Sequence, residues 1–174
     1  MSIEIGAQAP AFGLPDTEGR RHAPDGEVAT VVVFTCNHCP YALAWQERIA
    51  NAARDYAGRG VRFLAINPND AERYPRDSLE AMRARVAAED WPMPYLRDED
   101  QSVARAYGAK VTPDIFVLDA ERRLRYRGAP DGDWDDPAQN AAWLRAALDA
   151  VLAGRDPAPP ETQPVGCSIK WKLG

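Results

Sequence analysis

At 174 residues, with a hydrophobic share of 45%, the chain has the length and the apolar content of one domain with one core. A net charge of −5 and a pI near 5.1 exclude a general nucleic-acid binder, and three cysteines are too few for a disulfide scaffold. The opening Met1-Ser-Ile-Glu-Ile-Gly has neither a basic nor an apolar leader segment, and no run approaches about 18 apolar residues, so no membrane partner and a cytoplasmic setting are expected.

Turn signals crowd residues 1–29: Pro15-Asp16, Glu18-Gly19 and Pro24-Asp25-Gly26. Short strands at Phe12–Leu14 and Arg20–His22 are expected to form a hairpin about Asp16–Gly19, with His22 on the surface. Thr30-Val-Val-Val-Phe34 has no polar alternation and reads as a strand buried on both faces. Trp45, Ile49, Ala52 or Ala53 and Tyr56 then recur at helical spacing until Gly58-Arg-Gly60. Val61–Ile66 reads as a second buried strand, so the pair and its helix predict a parallel, right-handed unit. Asn67-Pro-Asn-Asp70 is a loop at that strand's carboxyl end; Asn67 reads as a turn residue there, within range of approaching the cysteines.

Asp77 and Glu80 read as a capping box for a helix from Ser78 to about Glu89, with Leu79, Met82 and Val86 as its apolar stripe. Arg73, Arg76, Arg83 and Arg85 are expected on a solvated face. The prolines of Trp91-Pro-Met-Pro-Tyr-Leu96 impose extended chain. A short helix at Ser102–Tyr107 is stopped by Gly108, and Val111-Thr112-Pro113 leads into a strand at Asp114–Leu118. Arginines 122, 123, 125 and 127 alternate with Leu124 and Tyr126, the pattern of a guarded edge strand. Asp131-Gly-Asp-Trp-Asp-Asp136 lacks the glycine and the glutamate of a calcium loop and reads as an acidic cap for a helix over Pro137–Ala153, whose buried face includes Trp143, Leu144 and Leu148. Residues 155–164 carry four prolines and read as an extended linker closing a domain of residues 1–154. In the tail, 155–174, Val165, Cys167, Ile169 and Trp171 alternate with Gly166, Ser168, Lys170 and Lys172, so a docked strand with Cys167 facing inward is expected.

The chemistry-bearing stretch is Thr35-Cys36-Asn-His38-Cys39-Pro40. It lies where a buried strand hands over to a helix N-terminus, and unpaired N–H groups there favour a thiolate. Two sulfurs two residues apart in a first turn can close a disulfide or open it. Half a zinc site is the competing reading, but no second C-x-x-C or His pair follows, so neither metal nor cofactor is expected. His38, between the sulfurs, would lower the Cys36 pKa if cationic, or serve as a spacer.

Gly6-Ala-Gln-Ala-Pro-Ala-Phe-Gly-Leu-Pro-Asp-Thr-Glu-Gly19, Thr35–Tyr41, Val111–Asp119 and Gly166-Cys-Ser-Ile-Lys-Trp171 together resemble the redoxins of the thioredoxin superfamily, specifically a peroxiredoxin-like subgroup with a C-x-x-C. The resemblance implies an α/β, thioredoxin-like fold: a central mixed sheet flanked by helices on both faces. It implies Cys36 as the exposed attacking sulfur, Cys39 as the more buried resolving one, and a cis Thr112–Pro113 bond facing them where a substrate backbone binds. It also exposes departures. Thr30 stands where thioredoxins carry a buried aspartate, leaving the proton acceptor unassigned. Aligning Cys39 with a peroxidatic cysteine puts Cys36 and Val32 where peroxiredoxins carry Thr and Pro. The leading expectation is a thiol–disulfide oxidoreductase acting on a protein or small-molecule thiol through Cys36, Cys39 and Cys167, with Thr112, Pro113 and His38 at the substrate. The runner-up is a thiol peroxidase with Cys39 peroxidatic. The third is a non-enzymatic metal or redox-sensing module built on Cys36, His38, Cys39 and Cys167.

Overall fold

The β-branched run does form a strand with no exposed residue, Ala29–Phe34. The computed structural model describes residues 3–174; Met1 and Ser2 of the opening segment lie outside them. In chain order the elements are β1 (Leu14–Pro15), β2 (Arg21–His22), β3 (Ala29–Phe34), α1 (Pro40–Tyr56), β4 (Val61–Asn67), α2 (Leu79–Ala88), β5 (Tyr95–Arg97), α3 (Ser102–Tyr107), β6 (Val111–Thr112), β7 (Asp114–Asp119), β8 (Leu124–Gly128), α4 (Ala142–Leu152) and β9 (Cys167–Ser168). The central sheet runs β5-β4-β3-β7-β8. β3 pairs parallel with β4 and antiparallel with β7, so the sheet is mixed, with β3 at its centre.

Alternation along β3 divides the core. Val31 and Val33 pack with Trp45, Ile49 and Tyr56 of α1 and Leu144 and Leu148 of α4. Val32 and Phe34 pack on the opposite face with Val103, Ala104 and Tyr107 of α3 and with Ile169 of the tail. This is a thioredoxin-like fold, a mixed sheet with helices on both faces.

Some local expectations fail for identifiable reasons. α4 starts at Ala142, not Pro137, because Asp131 accepts the Ala141 N–H at 3.0 Å and sets the helix start there. Trp143, read as buried, is 38% exposed, and Leu79 is 39% exposed. Ser78, whose hydroxyl accepts the Ala81 N–H at 3.1 Å, caps α2; Asp77 is not part of a capping box. Residues 155–164 are not a free spacer: the Arg127 N–H donates to Pro160 O at 3.1 Å and the Thr162 N–H to Arg127 O at 3.1 Å, so the segment lies along β8. β8 is the edge strand of the central sheet, as its arginines predicted, but Arg127 is buried, its guanidinium over the Phe116 ring. His22 is half-buried and bonded to Asp16 at 2.8 Å, not free at the surface.

Candidate active site

β3 ends at Phe34 and α1 begins at Pro40, so the five residues between them hold both cysteines at the carboxyl edge of the sheet. Cys39 is the N-cap of α1; its carbonyl accepts the first helical bond from Leu43 at 2.9 Å, and Pro40 loses nothing in the first turn. Facing the pair is β6, ending in a cis Thr112–Pro113 bond. The Cys39 thiol donates to Thr112 O at 3.2 Å, and Cys36 Sγ lies 3.4 Å from Thr112 Oγ1.

Neither sulfur is exposed, which corrects the assignment of Cys36 as the open one: Cys36 is 1% and Cys39 0% accessible. The tail packs against the pair. β9 pairs antiparallel with β6, placing Cys167 opposite Thr112, and Cys167 packs against Cys36, Cys39 and Ala42. Cys167 is the half-exposed member of the three. Gly166 is required there, because a Cβ would collide with Thr112 O. Further along, Ile169 is buried, the Ile169 N–H reaches Lys110 O at 3.1 Å, and Arg105 covers the Trp171 ring.

On the Cys36 side, Asp77, Arg85 and Tyr95 escaped the sequence reading as site residues. Asp77, fully buried, sits in the turn before α2. Its carboxylate accepts from Asn37 N at 2.7 Å, Asn67 Nδ2 at 3.1 Å and Asn69 Nδ2 at 3.0 Å. His38 Nδ1 lies 2.6 Å from Asp77 Oδ2, an ion-pair distance, though Nδ1 has no partner of hydrogen-bonding direction; the ring stacks on Tyr74. Asn67 serves its own turn as expected, its Oδ1 accepting from Asn69 N at 3.1 Å, while its Nδ2 reaches Asp77 and Tyr95. Arg85, expected on the solvated face, has a side chain only 9% exposed and donates to Cys36 O at 3.0 Å and Asn37 Oδ1 at 3.2 Å. The Tyr95 hydroxyl closes the ring on Asn37 Oδ1 at 2.6 Å.

The Cys36, His38 and Asp77 donor atoms lie within 4.8 Å of one another. A divalent ion bound tetrahedrally at about 2.0–2.1 Å would hold its nitrogen and oxygen donors about 3.3 Å apart. The 2.6 Å separation between His38 and Asp77 is too short for two ligands of one such ion. The four-residue metal set of Cys36, His38, Cys39 and Cys167 is not assembled, because His38 turns to Asp77.

The charges around the two sulfurs differ. The hydrogen bond from Cys36 pulls Cys39 down to about 4, with the Cys167 thiol and the Ala42 and Cys167 N–H groups adding to it against burial. The Cys36 thiol is pushed up, first by that same hydrogen bond and then by burial, with the Asp77 charge adding to both. Thr112 O opposes a thiolate on Cys39, but the donors around that sulfur outnumber it. Of the two sulfurs, Cys39 is thus the one favoured as thiolate and Cys36 the one favoured as thiol. Burial, followed by the neighbouring Cys39, pushes Cys167 up to about 11.

A profile of the AhpC/TSA family matches residues 5–127, most of the chain and all of the site except the tail. The chain belongs to the AhpC/TSA family. With a cysteine pair at its strand-to-helix junction, this member is a thiol redox protein. A curated relative, the thiol-disulfide oxidoreductase ResA of Geobacillus thermodenitrificans, is 24% identical over 129 residues, covering 71% of this chain and 68% of its own. The putative peroxiredoxin bcp of Coxiella burnetii is 23% identical over 167 residues, covering 88% and 96%. A solved structure of a hypothetical protein from Sinorhizobium meliloti 1021 superposes with a TM-score of 0.92 at 42% identity, over 100% of this chain and 98% of that one. Among the described residues no helix is long and apolar enough to cross a membrane.

Proposed function

We propose that this AhpC/TSA member, of the peroxiredoxin-like subgroup with a C-x-x-C, is a thiol–disulfide oxidoreductase in which Cys36 and Cys39 cycle between dithiol and disulfide. Residues 1–154 form the redox domain, and 155–174 form its docked tail. The observation that carries the reading is the pair of sulfurs at the start of α1, both within contact of Thr112 on the cis-proline edge. Similarity to ResA supports it.

The chemistry follows from the charges. The Cys39 thiolate attacks one sulfur of a substrate disulfide, and the departing thiolate takes a proton. Cys36 then attacks Cys39 Sγ, closes the internal disulfide and releases the second substrate thiol. Cys36 must lose its proton as it attacks. The His38–Asp77 pair stands beside it to receive that proton, filling the role left open by Thr30. Thr112 and Pro113 align the substrate backbone. The step itself needs no cofactor, and the partner is a protein or small-molecule thiol.

Titration in glutathione or dithiothreitol buffers, followed by mass, tests the proposal. Loss of two hydrogens should persist in Cys167→Ser and vanish in Cys36→Ser/Cys167→Ser; no reversible loss in wild type would sink it. A thiol peroxidase is the second reading, favoured by the charge on Cys39 and by the similarity to bcp. Cys36 and Val32 stand where that chemistry uses Thr and Pro, so stopped-flow oxidation by hydrogen peroxide should be slow. A rate constant above about 10⁴ M⁻¹s⁻¹ would reverse the order of the two readings.

A further inference from the structure

Given the oxidoreductase reading, one problem remains: a buried pair cannot meet a folded protein substrate. The tail is fastened on both sides of the place where it crosses the site. Upstream, Thr162 is tied to β8. Downstream, Lys170 N donates to Asn69 Oδ1 at 2.9 Å, Lys170 O accepts from Asp70 N at 2.8 Å, and Arg73 Nη2 donates to Trp171 O at 2.7 Å. Between these anchors, Val165–Ser168 is held on the sheet side by the two-residue pairing with β6. Its backbone lies antiparallel on Thr112 at a distance only glycine permits, with Cys167 beside Cys39. In this pose the tail holds the place of a bound cysteine-bearing strand.

We propose that Cys167 is a relay thiol: protein thiols exchange with this partly exposed residue, and the tail carries the disulfide to and from the buried Cys36–Cys39 pair. The steps balance with no outside oxidant. The Cys167 thiolate attacks Cys39 Sγ of the closed pair, the Cys36–Cys39 bond breaks, and Cys36 leaves as a thiolate that takes a proton. A substrate thiolate attacks Cys167 Sγ and displaces the Cys39 thiolate. A second substrate thiolate attacks the substrate sulfur and displaces Cys167. One protein disulfide becomes a dithiol while two substrate thiols become one disulfide; the reverse sequence carries disulfides inward.

The test uses the full chain. In Cys36→Ser, mild oxidation should yield a Cys39–Cys167 disulfide, found by peptide mapping. Adding Gly166→Ala should slow that bridge at least tenfold, with faster amide exchange confined to residues near 165–169. Starting from the oxidised pair, Cys167→Ser should slow exchange with a cysteine-bearing protein at least tenfold more than exchange with dithiothreitol. Absence of the Cys39–Cys167 bridge, or equal slowing for both reductants, overturns the relay while wild type still forms its reversible Cys36–Cys39 disulfide. Loss of that disulfide in wild type would instead overturn the oxidoreductase reading and the relay with it.

Discussion

Two fully buried carboxylates, Asp77 and Asp131, flank the start of α1, and they are balanced in opposite ways. Asp131 meets a permanent cation: Arg48 Nη1 lies 3.1 Å from both oxygens, and Trp45 Nε1, Ala141 N and Asp133 N donate to it at 2.9, 3.0 and 3.2 Å. Asp77 is held by neutral amides, and the side chain facing its carboxylate is His38, an imidazole that can both accept and donate a proton. Arg97, also buried, spends its donors on the backbone carbonyls of Asn67, Asn69 and Asp77 and on Glu99. A carboxylate locked to arginine fixes structure. One locked to a titratable partner beside a thiol can move a proton.

Removing the cation should separate the two most sharply. Arg48→Met leaves Asp131 buried and uncompensated and should cost about 3–5 kcal/mol by urea unfolding, while the folded fraction keeps its thiol exchange. Asp77→Asn should reverse the pattern: exchange falls on the order of 10²-fold, and stability falls by only about 1–2 kcal/mol, because the amide oxygen still accepts from Asn37. Asp77→Asn combined with His38→Asn should be no slower than the worse single variant, since both remove one proton path. A second large drop in the double variant would show that the two side chains act separately.

A third buried carboxylate gives the smallest effect. Burial pushes Asp114 up to about 6 from 3.8, with Oδ1 unpaired and the Arg127 guanidinium 4.0 Å away and too distant to cancel it. The folded carboxyl thus binds its proton more tightly than the unfolded one. Its contribution to stability is complete below about pH 4 and is lost as pH rises through about 6. Urea unfolding between pH 4 and 6.5 should show wild type losing about 1–3 kcal/mol relative to Asp114→Asn. Parallel pH curves for the two proteins would rule out that shift.

The sequence by itself determined the strand Thr30–Phe34, the helix behind the cysteines and the inward turn of the tail; the Thr112–Pro113 edge came with the resemblance to redoxins. The first three rest on neighbours within a few residues: a β-branched run, a helical stripe, an alternation of two. Only the tertiary structure could bring in Asp77 and Arg85, which lie 38 and 46 residues beyond Cys39. Locally, Asp77 matches a helix cap and Arg85 a solvated face, because periodicity tells which face of α2 points outward but not that the Asn37 turn covers part of that face. The depth of the cysteines was equally unreadable. A strand that starts more than a hundred residues later packs against the cysteines, and its register against Thr112 admits only a glycine beside the Thr112 carbonyl. Local pattern fixes elements; what a buried charge or sulfur can do depends on which distant groups desolvate it and which partner it is left with.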